Sequence, residues 1–184
     1  MSKKKPVPGG ADTSTPAQQK RNLWHMGALF HCTSRFPRKA KAPRVDRLAG
    51  ILQRGLLAPA QCSAGLVCSD LSIQVTGISV PYDGLVFLHR YGEQSYIYTI
   101  CDPGRFAVFV DPAHPVITQE DMGDAWPVLC QDEVYVRDSV PCEHFRAIAI
   151  HPADAEGVIS ELADDLRRLA IPLCDYAGNI LWPR

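Results

Sequence analysis

Apolar side chains recur along this chain with two different periods, and these periods predict where strands and helices lie. Short apolar or alternating runs are typical of strands, whereas apolar residues three or four positions apart are typical of an amphipathic helix. The first strand-like run is expected to end near His31. The strand-like runs lie at residues 24–32, 84–88, 105–110, 133–136 and 147–150.

Two segments have the helical period. In the first, Val45, Leu48, Ile51 and Leu52 recur at helical spacing, and Gly55 stands where a helix commonly ends. In the second, residues 152–169, apolar positions recur at the same spacing, with acidic residues near the start and arginines near the end, as the helix dipole favours. Strands in the middle with few helices at the flanks predict an α+β fold.

The remaining segments set the domain boundaries. Residues 1–22 combine Lys, Pro, Ser, Thr and Gln with almost no large apolar side chain, which predicts a disordered basic tail. Residues 60–80 are small and polar, and predict a loop with at most a short strand. Residues 171–182 predict a closing extended segment with a turn. The stretch 23–184 has the length of one domain.

Composition and charge exclude several classes of protein. The formal net charge of −1 gives no overall attraction to nucleic acid or membrane, and no apolar run is long enough to span a bilayer. The seven cysteines include no Cys-x-x-Cys pair, and the six histidines form no pair at ligand spacing, so neither a disulfide framework nor a metal site is predicted. We expect a soluble, cytoplasmic protein, or an effector delivered without a Sec signal, since no signal-peptide core is present.

The end of the first predicted strand carries the best candidate for chemistry. His31 and Thr33 are two positions apart, so both side chains lie on one face of a strand and can point into a cleft. The alternative is that His31 is a hydrogen-bonded core histidine and that Thr33 or Ser34 begins a turn. The usual phosphate-loop, dinucleotide, serine-hydrolase and zinc-protease motifs are absent.

Several segments, taken in order, resemble the ADP-ribosyltransferase-like fold. Residues 29–34 resemble its opening strand with His-x-Thr, and residues 48–56 are similar to the following helix with an Ile-Leu-x-x-Gly-Leu ending. Residues 85–88 resemble its second core strand. Residues 131–136, followed by Ser-Val-Pro at 139–141, are similar to the late strand whose leading Glu is catalytic in that family.

This resemblance implies a split antiparallel β core with short flanking helices, which binds NAD in the cleft between its halves. His31 and Thr33, with Ser34 beside them, would hold a ribose and the nicotinamide amide. An aromatic ring would stack on nicotinamide, and of the tyrosines at 91, 96 and 98 we favour Tyr96. Arg90 or Arg105 would meet the pyrophosphate. The basic residues of the segment 35–44 are expected to be solvated, or to contact the pyrophosphate or an acceptor nucleic acid.

The same resemblance gives Glu133 a catalytic role. Cleavage of the bond between nicotinamide and ribose builds positive charge on the sugar, and a fixed carboxylate stabilises that charge. Gln131 shares the strand face of Glu133 and would contact the acceptor, whereas Asp132 points the other way. The alternative is that Glu133 is an ordinary exposed carboxylate at a strand end.

The leading hypothesis is therefore an NAD-dependent mono-ADP-ribosyltransferase, a pentosyltransferase that modifies a protein or nucleic acid. The motif order is nearest to that of DNA-modifying toxins of toxin–antitoxin pairs, which implies a toxin or effector with an antitoxin or immunity partner. Two alternatives stay open: an RNA 2′-phosphotransferase-like enzyme, and a non-catalytic binding or immunity protein on the same scaffold.

Overall fold

The computed structural model describes residues 21–36, 45–62, 72–75, 78–92, 101–122 and 132–183. Within these ranges the helices are α1 (Arg47–Arg54), α2 (Gln119–Met122) and α3 (Ala155–Leu169). The strands are β1 (Leu29–Ser34), β2 (Leu56–Leu57), β3 (Ser72–Val75), β4 (Ile78–Pro81), β5 (Leu85–Arg90), β6 (Arg105–Val110), β7 (Glu133–Arg137), β8 (Ser139–Val140), β9 (Phe145–Ile150), β10 (Leu173–Asp175) and β11 (Ile180–Trp182).

Seven of these strands form one sheet in the order β11-β10-β9-β6-β1-β5-β7. All neighbours are antiparallel except β9 and β10, which run parallel and are joined through α3, as a parallel pair requires a long crossover. Strands β2 and β8 form one small antiparallel pair, and β3 and β4 form another. The predicted α+β class is confirmed.

Each face of the large sheet packs into its own apolar cluster. One face of the sheet packs against α1 and α3. These helices contribute Leu48, Leu52, Val158, Leu162 and Leu166 to the cluster on this face. On the opposite face the cluster is smaller and includes Phe30, Ala107, Phe109, Ala147 and Cys174. The strands are therefore buried on both sides, which explains why their sequences are apolar runs as much as alternating ones.

The sheet opens between β1 and β5. Strand β1 pairs with β6 along its whole length, from Leu29 to Ser34. Its pairing with β5 is confined to Leu29 with Arg90 and Phe30 with His89, although β5 itself stays paired with β7 from Leu85 to His89. Beyond Phe30, no residue of β1 pairs with a residue of β5, so the gap between the two strands begins at His31.

Helix α1 is fixed at its first turn by an ionic contact that the sequence did not predict. Asp46 caps the helix, since its side chain accepts from the Ala49 N–H at 3.1 Å. The same carboxylate accepts from Arg35 Nε at 2.9 Å and Nη2 at 2.6 Å, and Arg35 also pairs with Glu161 of α3. Arg35 is only 9% exposed, so it joins the end of β1 to both helices, contrary to the expectation that it is solvated.

Most predicted elements agree with the structure, but the first strand differs. It begins at Leu29 and runs to Ser34, and the residues before it are not in a strand: Trp24 is half-buried and Met26 is exposed. The Trp24 indole donates to the Tyr176 carbonyl at 2.6 Å, and Gly27, at a φ of 83°, turns the chain into β1. Arg21, assigned to the tail, donates its N–H to the Gly178 carbonyl at 2.8 Å.

Residues 60–80 also differ from the prediction, since β3 and β4 form an antiparallel pair where a loop with at most one short strand was expected. The two predicted helices are confirmed as α1 and α3, but they begin later than expected, at Arg47 and Ala155, and Val45 is exposed before α1. The closing segment is confirmed as β10 and β11 around a turn at Gly178.

Gly55 gives the first testable prediction. It ends α1 at φ 84° and ψ −178°, a conformation nearly restricted to glycine, and an added Cβ would lie 2.4 Å from the Val140 carbonyl oxygen. We expect Gly55→Ala to lower the free energy of unfolding by about 2–4 kcal/mol, measured by urea titration.

The matched control is Gly157→Ala in α3, where an added Cβ meets nothing within 4 Å. Alanine is the better helix former there, so this variant should gain up to about 1 kcal/mol. Equal stability of the two variants would contradict the close approach of α1 to β8.

Candidate active site at the opening of the sheet

His31 lies on β1 at the first position beyond the β5 pairing. Its Nδ1 is 2.9 Å from the backbone carbonyl oxygen of Phe87 on β5. A carbonyl oxygen only accepts, so Nδ1 must carry the proton, and in the neutral ring Nε2 is left as an acceptor. The imidazole therefore spans the gap between the two strands. Its Nε2 takes no part in the bond to Phe87.

The surroundings of His31 keep the ring neutral. Removal from water lowers the pKa of His31, and the nearby charges of His89 and Arg47 lower it further, while the bond to the Phe87 carbonyl acts in the opposite direction. A neutral imidazole with a free Nε2 can accept a hydrogen bond from a hydroxyl group of a bound ligand.

The two hydroxyl residues that follow His31 have different positions. Thr33 shares the strand face of His31, and its Oγ1 accepts from Arg47 Nη1 at 3.3 Å. Ser34 is the last residue of β1, lies opposite Arg105 of β6, and points to the other face. Thr33 is thus beside a guanidinium that the sequence did not indicate, since Arg47 lies on the first turn of α1.

Glu133 is the first residue of β7 and lies opposite His89 of β5. Its Oε2 accepts from the Tyr135 hydroxyl at 2.9 Å. Tyr135 is fully buried, and its ring meets the ring of Phe87 edge to face with centroids 5.0 Å apart. The carboxylate is therefore oriented by a phenol that is itself fixed by packing.

His89 connects the two groups. It lies opposite Phe30 of β1 on one side and opposite Glu133 of β7 on the other. Burial lowers the pKa of His89, and the carboxylates of Glu133 and Asp132 oppose that shift. Because the charge of His89 also lowers the pKa of His31, one ring is within electrostatic range of both candidate residues.

Strand alternation gives His31 and Glu133 different sheet faces. His31 and Thr33 point to the same face as Leu29, which packs on the helices. Val134 and Val136 also point to that face, so Glu133 and Tyr135 point to the opposite one. Where the strands separate, the His31 ring leaves its face and reaches the plane of the sheet to bond the Phe87 carbonyl. The predicted convergence of His31, Thr33 and Glu133 on one cleft is therefore not observed: Glu133 lies on β7, on the far side of β5 from the opening.

The other predicted site residues are distributed as follows. Arg90 is exposed and lies opposite Leu29, at the paired end of β5 and not along the opening. Tyr91 packs against Trp24 with ring centroids 5.7 Å apart, beside the smaller apolar cluster. Tyr96 and Gln131 lie outside the described residues.

The described ranges include no group of three or more His, Cys, Asp or Glu side chains that could hold a metal ion. None of the helices in the same ranges is long and apolar enough to cross a membrane.

A cavity of about 400 Å³ lies at the other end of the sheet, away from the opening. Its lining includes Arg21, His25, Ala28, Phe109 and Arg146. The Arg146 guanidinium in this lining is paired with Asp111.

No protein-family model, curated protein or solved structure matches this chain.

The pKa of His31 predicts a pH dependence of stability. Its pKa in the folded protein lies below the ordinary value of 6.5. The unfolded chain therefore takes up a proton first as the pH falls below about 6.5, and the free energy of unfolding decreases down to the folded pKa, by at most about 1.4 kcal/mol per pH unit.

Chemical denaturation at pH 7.5 and pH 5.5 measures this effect. His31→Gln, whose amide can still donate to the Phe87 carbonyl, should lose about 1 kcal/mol less than the unmodified chain between these pH values. An equal loss in both proteins would mean that His31 is not held in its neutral form.

Proposed function

We propose that this chain is an NAD-dependent mono-ADP-ribosyltransferase that transfers ADP-ribose to a protein or nucleic acid acceptor and releases nicotinamide. The observation that carries the proposal is the opening between β1 and β5, where His31 bonds the Phe87 carbonyl and keeps Nε2 available, with the Tyr135-bound carboxylate of Glu133 on β7, the strand beyond β5. The order of the motifs along the chain supports the same function.

Glu133 would stabilise the transition state. As the bond between nicotinamide and C1′ of the ribose breaks, its electron pair leaves with nicotinamide and the ribose acquires oxocarbenium character. A carboxylate that accepts a hydrogen bond from a ribose hydroxyl offsets this charge as it forms. Because the Tyr135 hydroxyl already orients Glu133 at 2.9 Å, little reorganisation is needed.

His31 and its neighbours would bind NAD. The Nε2 atom of His31 can accept from a ribose hydroxyl, since Nδ1 is committed to the Phe87 carbonyl. Arg47 is exposed and lies next to Thr33, so its guanidinium can meet a phosphate oxygen while it stays near the hydroxyl. Once nicotinamide has left, a nucleophilic atom of the protein or nucleic acid acceptor attacks C1′ and releases its proton to solvent.

A second candidate function is an RNA 2′-phosphotransferase, which also uses NAD. It requires additional basic residues to hold the 2′-phosphate, and the observation in its favour is that His89 and Arg47 are both within electrostatic range of His31. Incubation with NAD and a 2′-phosphorylated oligonucleotide separates the two functions, because only the phosphotransferase removes that phosphate.

Glu133→Gln tests the proposed chemistry. The amide keeps the size of the side chain but loses the negative charge, so we expect nicotinamide release from NAD to fall about 10²–10³-fold. Binding of NAD, measured by calorimetry, should change far less than the rate.

The neighbouring Asp132→Asn is the matched control, since it removes a carboxylate one position earlier on the chain and should keep most of the activity. Absence of NAD binding to the unmodified chain, or full activity of Glu133→Gln, would contradict the proposal and favour a non-catalytic binding protein.

Tyr135→Phe tests whether the phenol positions the carboxylate. The ring and its packing on Phe87 are kept, and the hydrogen bond to Glu133 is removed. We expect kcat to fall about 10-fold with little change in KM for NAD, since the hydroxyl acts through Glu133 and has no contact with NAD in this account. An equal rise in KM would instead indicate that Tyr135 contributes to binding.

A further inference from the structure

The cavity of about 400 Å³ at the far end of the sheet combines buried apolar side chains with exposed basic ones. Its volume falls in the lower part of the range of small-molecule sites, about 300–1,000 Å³. Arg21, His25 and Arg146 are its exposed basic residues, and no Asp or Glu is among the residues of the described chain that line it. Its buried apolar lining, called here the floor, consists of Leu23, Ala28, Phe109, Val110 and Ala147.

A β-bulge gives Arg146 its place in this lining. Phe109 of β6 lies opposite Ala147 of β9, but the next residue, Val110, lies opposite Phe145. Arg146 is therefore an extra residue on β9, and bulges of this kind redirect a side chain relative to the regular alternation of a strand. The floor and the basic side chain thus come from the same pair of strands.

The Arg146 guanidinium is held in position but keeps donors for a ligand. Its Nη2 pairs with Asp111, and its Nη1 is 3.4 Å from the Glu143 carbonyl oxygen. A guanidinium has five N–H donors and can bind two carboxylates at once, as Arg35 does between α1 and α3 in this protein.

Arg21 supplies a positive charge that no carboxylate of the described chain compensates. The ion pairs of the described residues do not include Arg21, whose backbone N–H bonds the Gly178 carbonyl at 2.8 Å. The charge of Arg146 is balanced by Asp111, whose other oxygen accepts from the Ala113 N–H at 2.9 Å. The cavity therefore has one uncompensated guanidinium above an apolar floor.

We propose that this cavity binds a compact organic monocarboxylate. The carboxylate of the ligand accepts hydrogen bonds from Arg21 and Arg146, and its apolar body packs on Phe109 and the rest of the floor. One negative charge matches the one uncompensated guanidinium, whereas a second negative charge would lie near Asp111 without a partner. The site is independent of the proposed use of NAD, because it lies between β6, β9 and residues 21–28, and not at the opening between β1 and β5.

Calorimetry and thermal unfolding of the full chain test the proposal, with phenylacetate and hexanoate as ligands. We expect saturable binding of at least one of them, with a rise in Tm and with amide NMR shifts centred on Ala28, Phe109 and Ala147. Phenylethanol keeps the aromatic body without the charge, and acetate keeps the charge without the body. Each should bind at least about 10-fold more weakly than the better carboxylate.

Arg21→Gln removes the uncompensated charge and should weaken carboxylate binding about 10-fold or more. Arg146→Lys keeps a positive charge beside Asp111 but loses the planar fork, so it should weaken binding several-fold. The matched control is Arg137→Gln. Arg137 is exposed at the end of β7, at the far edge of the sheet, and is also absent from the ion pairs of the described residues.

Several results would overturn the proposal. Equal binding by Arg21→Gln and Arg137→Gln would mean a general charge effect, and NMR shifts outside the lining would place the ligand elsewhere. Equal affinity for phenylethanol would mean that the charge is not recognised. Tighter binding of phenyl phosphate than of phenylacetate would replace the monocarboxylate by a phosphate ligand, and no binding of either carboxylate would mean that the cavity holds solvent.

Discussion

The hydrogen bond between His31 and the Phe87 carbonyl is the contact on which the opening of the sheet depends. Where β1 and β5 separate, the backbone of β5 loses the partner that a continued ladder would provide, and a buried carbonyl without a partner is unfavourable. The imidazole supplies the missing donor from a side chain at 2.9 Å. The strands can therefore part without an unsatisfied group, and the ring that replaces the ladder keeps its second nitrogen available to a ligand.

The helix side of the sheet keeps this opening in place. Arg35 fixes the end of β1 to α1 through Asp46 and to α3 through Glu161. At the other end of α1, Gly55 allows the chain to pass close to the β8 backbone. Glu133 is held separately, by Tyr135, whose ring is buried against Phe87. His31 and Glu133 are thus each supported by packed elements, as a preorganised electrostatic site requires.

The sequence predicted the elements whose patterns are local. Helix α1 was readable from Leu48, Leu52 and Gly55, and β7 from its alternation after Glu133, because periodicity and capping act over a few residues. The bounds of β1 were not readable, since the Trp24 indole is held by a hydrogen bond to the distant Tyr176 carbonyl and its backbone is not in a strand ladder.

The neighbours of the candidate residues were missed for a related reason. His89 faces Glu133 only because of the β5–β7 register, and Arg47 reaches Thr33 only because α1 begins beside β1. Tyr135 was visible as a strand residue, and its two-residue spacing from Glu133 was a signal that could have identified it as a partner. Such long-range contacts depend on how strands pair, which a single sequence does not specify.

If the opening between β1 and β5 binds NAD, the imidazole nitrogens of His31 report it in NMR spectra recorded during an NAD titration. We expect the Nε2 resonance of His31 to shift as NAD binds while Nδ1 stays protonated against the Phe87 carbonyl, and the effect to be lost in His31→Gln. An unchanged His31 signal at saturating NAD, or shifts confined to the cavity at Arg21 and Phe109, would contradict it.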